Sequence, residues 1–518
     1  MEEHGRMRQA VSLSLIAGYQ LDEEAFNLLH RMSKTEDPIK LIEAVLKKLK
    51  TRNEKSFLIC KSLLEEIAKE IFPEIKDPEK FAVSPLESSL ETGKVRSAFS
   101  PLAKDMKNDI KVLEDPTGKI CSTGSIDEYI TYFKDRFERI RKLLRQRMDS
   151  RHAVSIKDAF RASPRSKLKV FCIITEKRQS KYGILLRIED FEYNATVLIP
   201  RNGHLELLNK AKLLLPDQVV CLGLMKSRKN LLVVEDLFFP DIPQRKPRKA
   251  KETIHVALIS DLHVGSKEFM KEKFNRFLLW LNGKYGNSSL RKAAELVKYV
   301  VIAGDIVDGI GIYPNQMKEL TVRDVFKQYS LAAKFIEQIP DYIEIVIIPG
   351  NHDASRKALP QPALSSEYVE PLCEARPHLL SLGNPATVSI HGVEFLIYHG
   401  RSLDDVLATA ANMRFHSPER AMRLLLKARH LAPTYGQRTL IAPERRDFLV
   451  IERIPDVFHT GHVHVMKYQS YRGTLMVNSG AWQRQTSYQR NLGLEPTPGI
   501  IPVVNLQTLA VLPIDFNS

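Results

Sequence analysis

Five short clusters of imidazole, carboxylate and amide side chains lie in the C-terminal half of the chain, each directly after an apolar, β-branched run. IHVALIS leads into Asp261-Leu262-His263, KYVVIAG into Asp305 and then Asp308, and YIEIVIIPG into Asn351-His352-Asp353. GVEFLIY leads into His399-Gly400, and PDVFHT into Gly461-His462-Val463-His464. Imidazole nitrogen with carboxylate and amide oxygen, and no thiolate, suits borderline or hard divalent ions such as Mn²⁺, Fe or Zn²⁺. Asp261, His263, Asp305, Asn351, His399, His462 and His464 make seven donors. That is too many for one ion and about right for two sharing a carboxylate roughly 3.5–4 Å apart. Such a pair makes a bound water hydroxide-like near neutral pH and clamps a phosphoryl oxygen on each side of an in-line displacement. Asp308 and Asp353 are expected to orient neighbours or cap backbone rather than bind ions.

For these clusters to meet, the runs before them must be strands of one layered domain. Continuous apolar runs suit strands buried on both faces, and in α/β folds ligands collect just beyond strand ends. Thr253 to Ser518 is long enough for one such domain, 253–518. Ahead of it, 156–242 holds five short β-rich runs (LKVFCIIT, YGILLRIED, YNATVLIP, QVVCLGLMKS, NLLVVEDLFF), with a helical stretch at 205–214 after the third. That is the order of an oligonucleotide/oligosaccharide-binding (OB-type) barrel. Lys177, Arg178, Lys181, Lys226, Arg228 and Lys229 fall in its turns, where they could grip phosphates. Residues 243–252 (PQRKPRKAKE) read as a basic hinge, and 73–155 as a linker with one amphipathic, charge-alternating helix near 126–148. Apolar residues at helical spacing in 10–29, 39–49 and 57–71 make 1–72 a small helical docking domain.

With 518 residues the chain needs several domains, and 43% hydrophobic with 27% charged residues excludes wholesale disorder. No apolar run reaches the ~18 residues of a membrane span, so no membrane partner is expected. The N-terminal residues lack the uninterrupted apolar stretch of a signal peptide. Five scattered cysteines (Cys60, Cys121, Cys172, Cys221, Cys373) argue against a disulfide framework and for a cytoplasmic chain. A net charge of +15 favours a polyanionic partner, nucleic acid foremost.

The succession D-x-H, G-D, G-N-H-D, an isolated H and G-H-x-H resembles the calcineurin-like metallophosphoesterase superfamily, which includes double-strand-break repair nucleases. GDIVDGIGIYPNQ (304–316), PGNHDASRKALPQPAL (349–364), YHGRSLDD (398–405) and TGHVH (460–464) are similar to the small subunits of the archaeal family D DNA polymerases. The resemblance covers about 168–518 and is faint over the first 150 residues. It implies an α/β fold: a four-layer phosphoesterase domain preceded by an OB-type barrel and a small helical domain. It implies that Asp261, His263 and His464 hold a first ion, that Asp305 bridges, and that Asn351, His399 and His462 complete a second site. Mn²⁺ is the expected ion, with Fe, Zn²⁺ or Mg²⁺ accepted by the same set. His352 is implied as the group that gives a proton to the leaving sugar oxygen or stabilises the transition state, and an unperturbed imidazole near 6.5 suits that task.

The implied activity is 3′-to-5′ hydrolysis of DNA, proofreading frayed or single-stranded primer ends for a heterodimeric archaeal polymerase whose synthetic site lies on a large subunit. Eukaryotic accessory-subunit relatives have lost several of these positions, whereas the set here is intact. Arg401, directly after His399-Gly400, is placed to meet a nucleic-acid phosphate. Residues 414–453 carry nine bases (Arg414, Arg420, Arg423, Lys427, Arg429, Arg438, Arg445, Arg446, Arg453) against four acids, either a strand-guiding wall or a solvated face. Tyr313 and Trp482 are either base-stacking or buried aromatics. Two other functions fit part of the pattern. One is a non-catalytic assembly or processivity subunit with a structural metal site; the other is a free-standing phosphoesterase, which the barrel, the basic hinge and the charge speak against.

Overall fold

The computed structural model describes residues 99–228, 231–410, 416–491 and 493–517, together with part of residues 9–68. Two compact units divide the chain at Ala98/Phe99. In the first, Asp37 accepts a hydrogen bond from the Ile39 N–H at the start of helix α1 (Pro38–Arg52). The apolar residues of α1 recur at helical spacing, so Leu41, Ile42, Val45 and Leu49 share one face, buried with Leu28, Leu29, Leu64 and Ile67. Strands β1 (Gln20–Leu21) and β2 (Leu58–Ile59) pair in parallel, so the expected helix over 10–29 is interrupted. Residues 10, 13–14, 25–26, 28–29, 63–64 and 66–68 are helical, while several other positions of the helices expected over 10–29 and 57–71, and all of 69–98, lie outside the described residues.

The second unit begins inside the stretch expected to be a linker. Strand β3 (Ile110–Glu114) pairs antiparallel with a strand nearly 280 positions later, and α2 (Ile126–Arg145) starts in a Ser125/Glu128 capping box. The linker reading fails here for a physical reason. β3 is an edge strand with half its side chains in water, so its sequence lacks the apolar signature of a core strand. The charges of α2 are likewise not all solvated, because Arg136 and Arg139 are buried. Arg136 donates to Asp447 Oδ2 (2.8 Å), to the Pro433 carbonyl (3.0 Å) and to the Tyr132 hydroxyl (2.9 Å).

After α3 (Ile156–Arg161), strands β4 (Lys167–Ser180), β5 (Gly183–Glu189), β6 (Asn194–Pro200), β7 (Val219–Lys226) and β8 (Leu232–Phe238) close into a barrel. Their order is β4-β5-β6-β8-β7, with α4 (Leu205–Lys212) between the third and fourth strands. Alternation along each strand fills the interior with Val170, Cys172, Leu186, Ile188, Val197 and Leu222. Three of the basic turn residues are engaged within the protein. Lys177 donates to the Ala211 and Leu214 carbonyls, Arg178 pairs with Glu176, and Lys226 meets the Phe160 carbonyl. Lys229 lies outside the described residues. Residues 243–252 are pinned rather than hinge-like: Arg245 and Arg248 both pair with buried Asp456, at 2.7 Å each.

The remaining chain builds two six-stranded sheets. The first contains β9 (His255–Ile259), β10 (Val297–Ala303), β11 (Glu344–Ile348) and β12 (Leu380–Ser381), all parallel, extended by antiparallel β18 (Ile500–Asn505) and β19 (Val511–Asp515). The second runs β16-β17-β15-β14-β13-β3. Here β14 (Val393–Ile397), β15 (Val457–Thr460) and β17 (Thr474–Asn478) are parallel, and β13 (Ala386–Ile390) and β16 (Lys467–Tyr471) are antiparallel. Val256, Leu258, Val301, Val346, Phe395, Ile397 and Val477 pack between the sheets. Helices α5 (Lys271–Leu281), α6 (Ser288–Glu295), α7 (Val325–Ile336) and α8 (Ser366–Ala375) cover the first sheet's outer face. Helices α9 (Leu403–Thr409), α10 (Pro418–Ala428) and α2 cover the second. Helices outside two stacked sheets give a four-layer α/β arrangement. Trp482 is buried against Phe274, Phe277 and Phe516, so it is a core aromatic. No helix among the described residues is long and apolar enough to cross a membrane.

Arg136→Met leaves the buried Asp447 carboxylate without its arginine, facing His430 (2.8 Å) and the Leu449 N–H (2.9 Å). The expected loss is about 3–5 kcal/mol, measured by denaturant-induced unfolding of the full chain; a loss below about 1 kcal/mol contradicts the assigned role of the pair.

Candidate metal centre

The C-terminal ends of five parallel strands point the polar clusters at one rim. Asp261 and His263 follow β9, Asp305 follows β10, and Asn351 follows β11 in the first sheet. His399 follows β14, and His462 and His464 follow β15 in the second. Five of these seven residues leave their strands in the left-handed region: Asp261 (φ 54°), His263 (52°), Asp305 (53°), His462 (69°) and His464 (61°). Such backbone costs of order 1–3 kcal/mol per residue and persists where the surroundings impose it. Two glycines make the approach feasible. A Cβ at position 350 would collide with Asp305 Oδ1, and one at 461 with Asp261 Oδ2.

The donor atoms of the side chains then converge. His263 Nδ1 is committed to Asp308 Oδ1 (2.9 Å), which leaves its Nε2 facing His464 Nε2 at 3.1 Å. Asp261 Oδ1 is buried and accepts no well-aligned hydrogen bond, although His464 Nε2 stands 3.3 Å away. His399 Nδ1 donates to the Ala303 carbonyl (2.8 Å), so its Nε2 lone pair faces Asn351 Oδ1 (3.0 Å) and Asp305 Oδ2 (3.3 Å). Asp305 Oδ2 also lies 3.8 Å from His263 Nε2, between the two groups. Asp261, His263 and His464 form one cluster of mutually close donor atoms, and Asp305, His399 and His462 another. Acceptors buried against acceptors are unfavourable unless something positive sits among them, so these residues fit metal ions.

The electrostatics agree. Burial alone would raise the Asp305 carboxyl, but the surrounding imidazoles hold it well below its ordinary range. Burial opposes charge on His263, yet Asp308, Asp305 and Asp261 push it up to about 9. His399, opposed by the same burial, is also pushed up to about 9, chiefly by Asp305. The centre therefore draws positive charge.

His352 stands 4.6 Å from the His263 ring, with its N–H on Asp305 Oδ1 (2.8 Å) and its Nδ1 on the Asp308 carbonyl (2.8 Å). Its imidazole is not left near 6.5: burial pushes it down to about 4, so the ring is neutral before substrate arrives. Asp353 binds no partner in either cluster; it accepts from the N–H groups of Ile306, Val307 and Gly350 and from the Tyr329 hydroxyl, and so fastens the two loops together.

A cleft of about 400 Å³ opens over the centre, lined by His352, Tyr313 and Arg401 among others. Two positions at the site were missed in the sequence: Asp404 takes His462 Nε2 at 3.1 Å, and Gln489 meets His464 Nδ1 at 2.9 Å. Arg438, one of the nine bases of 414–453, lines the cleft. The Asp-Asp pair in the first turn of α9, directly after His399-Gly400-Arg401, was the available signal for Asp404; nothing local marks Gln489.

The sequence pattern of the B-type subunits of DNA polymerases alpha and epsilon matches residues 256–468, which include all of these donors. The DNA polymerase II small subunit of Archaeoglobus fulgidus is 37% identical over 491 residues, 94% of this chain and 94% of that one. The chain belongs to the DNA polymerase II small subunit family. The Methanocaldococcus jannaschii member is 39% identical over 80% of this chain and 69% of its own length. For the Pyrococcus furiosus member the figures are 38%, 76% and 64%, so the chain spans just under two thirds of that relative.

In this family member Asp308 fixes which ring nitrogen of His263 faces the cluster. Asp308→Asn is expected to lower Mn²⁺ affinity about tenfold or more, read by titration calorimetry on the folded full chain. Unchanged affinity would show that the Asp308–His263 bond does not set the site.

Proposed function

We propose that the chain is the 3′-to-5′ exonuclease of a two-subunit replicative DNA polymerase, with DNA synthesis carried by a separate large subunit. The observation that supports this most is the convergence of seven donor side chains from the ends of two sheets, six of them gathered about the carboxylate of the seventh, Asp305. Asp261, His263 and His464 would hold a first divalent ion, Asn351, His399 and His462 a second, and Asp305 both; Mn²⁺ suits this nitrogen and oxygen set. When bound, such a pair supplies a hydroxide-like water and neutralises charge on a phosphodiester undergoing in-line attack.

The chain's own residues do the rest. His352 is held by its backbone N–H and its Nδ1, so Nε2 is the atom left to meet the phosphate or the leaving 3′ oxygen. Burial keeps that nitrogen unprotonated in the free protein, and an anionic phosphate in the cleft would raise its proton affinity so that it takes a proton from solvent. Arg401 lines the same cleft and binds a phosphate oxygen. The barrel has the strand order of an OB fold. With three of its basic turn residues engaged internally, we assign it to docking the large subunit rather than to gripping DNA.

The test is degradation of a 3′-mismatched primer by the full chain, alone and with its large subunit, in Mn²⁺. His352→Ala is expected to lower the rate about 10²–10⁴-fold with bound metal unchanged, and chelation to abolish cleavage. Equal rates for His352→Ala and wild type would leave a scaffold with a structural metal site.

A further inference from the structure

The structure sorts the bases of residues 414–453 into two kinds. Most of those with an assigned partner are fixed within the protein. Arg429 donates to the carbonyls of Ile451 (2.6 Å) and Glu452 (2.7 Å), Arg446 pairs with Glu114 (3.2 Å), and Arg453 with Glu394 (2.5 Å). They hold loops to the second sheet and are not a strand-guiding wall. Arg414 lies outside the described residues. Arg438 differs: it lines the metal cleft, and among the described residues its guanidinium forms no ion pair. Arg401 shares both properties.

The position of Arg438 is built. Asp405, 4% exposed, accepts from the Arg438 N–H through Oδ1 (3.0 Å) and from the Thr439 N–H through Oδ2 (3.0 Å). Asp405 belongs to α9, the helix that directly follows His399-Gly400-Arg401, and its neighbour Asp404 holds His462. One helix thus ties the Arg438 backbone to two of the residues assigned to the ions. A buried carboxylate spent on two backbone N–H groups fixes where residue 438 stands; its guanidinium shares the cleft with Arg401 and with the Asp404 carboxylate, whose charge it feels without forming an ion pair. A planar guanidinium in a concave site matches a phosphate with two parallel hydrogen bonds, which an ammonium cannot do.

The scissile phosphate belongs at the metal centre. An additional arginine at the cleft wall therefore has work only if the substrate carries another phosphate, as a polynucleotide does and a small phosphate ester does not. We propose that Arg438 is a specificity-determining residue whose guanidinium, beside that of Arg401, holds the phosphate adjoining the scissile one, so that the cleft selects a DNA strand over a lone ester. The assignment rests on the nuclease reading above.

Two readouts on the full chain test it: steady-state cleavage of a single-stranded oligonucleotide in Mn²⁺, and binding of the same oligonucleotide by fluorescence anisotropy across a salt series without divalent metal. Arg438→Ala is expected to raise KM about tenfold, the loss of one charge-assisted contact, with kcat within about twofold. It should also make the slope of log K against log salt shallower by about 0.7, one single-strand phosphate contact. Arg438→Lys should restore the slope and only part of the KM; it carries both readouts should Arg438→Ala fail to fold. A fall in kcat at unchanged KM, or an unchanged slope in both variants, overturns the assignment. A wild-type chain that binds with the full slope yet degrades no DNA refutes the nuclease reading instead, while a shallower slope in Arg438→Ala still upholds the phosphate contact.

Discussion

The crowding of buried imidazole, carboxylate and amide donor atoms at one rim constrains everything else in this molecule. His263 Nε2 and His464 Nε2 are 3.1 Å apart, and His399 Nε2 looks onto the oxygens of Asn351 and Asp305. Asp308 and the Ala303 carbonyl hold the Nδ1 of His263 and His399, so in both rings Nε2 is the atom turned inward. A protein interior tolerates such an arrangement only when cations complete it. The left-handed backbone at five of the seven donors adds to the cost, so the fold must hold the site open against both strain and repulsion.

The two-sheet core supplies that holding power. Parallel strands end together, and β9, β10 and β11 of one sheet and β14 and β15 of the other deliver their loops to one edge. Buried carboxylates then lash the loops: Asp353 bridges the loop after β10 to the loop after β11, and Asp405 ties α9 to the segment bearing Arg438. Neither acid touches the donor clusters. Their positions are nonetheless what places His352 and the cleft arginines within reach of a phosphate.

The strands and the donors at their ends were legible in the sequence because each apolar run ends abruptly in a residue able to hold a metal ion, a local signal repeated five times. The barrel was legible in the same way, through five alternating runs and one helix. What escaped had no local signature. β3 lies at a half-solvated edge and finds its partner far along the chain; Arg136 of α2 looked like one more surface charge, although its partner Asp447 waits some 300 residues away. The basic residues misled for the same reason. Charge composition cannot tell Arg453, which is paired with Glu394, from Arg438, which has no ion pair among the described residues. Asp404 was visible but unassigned, since only the folded loop brings it to His462. The His352 proton affinity was misjudged because burial cannot be read from an Asn-His-Asp turn.

Anomalous diffraction from crystals of the full chain grown with Mn²⁺ tests the central claim most directly. The account predicts two peaks on either side of the Asp305 carboxylate, one touching His263 and His464 and the other His399 and Asn351. A single peak, or ions bound away from these side chains, would contradict it.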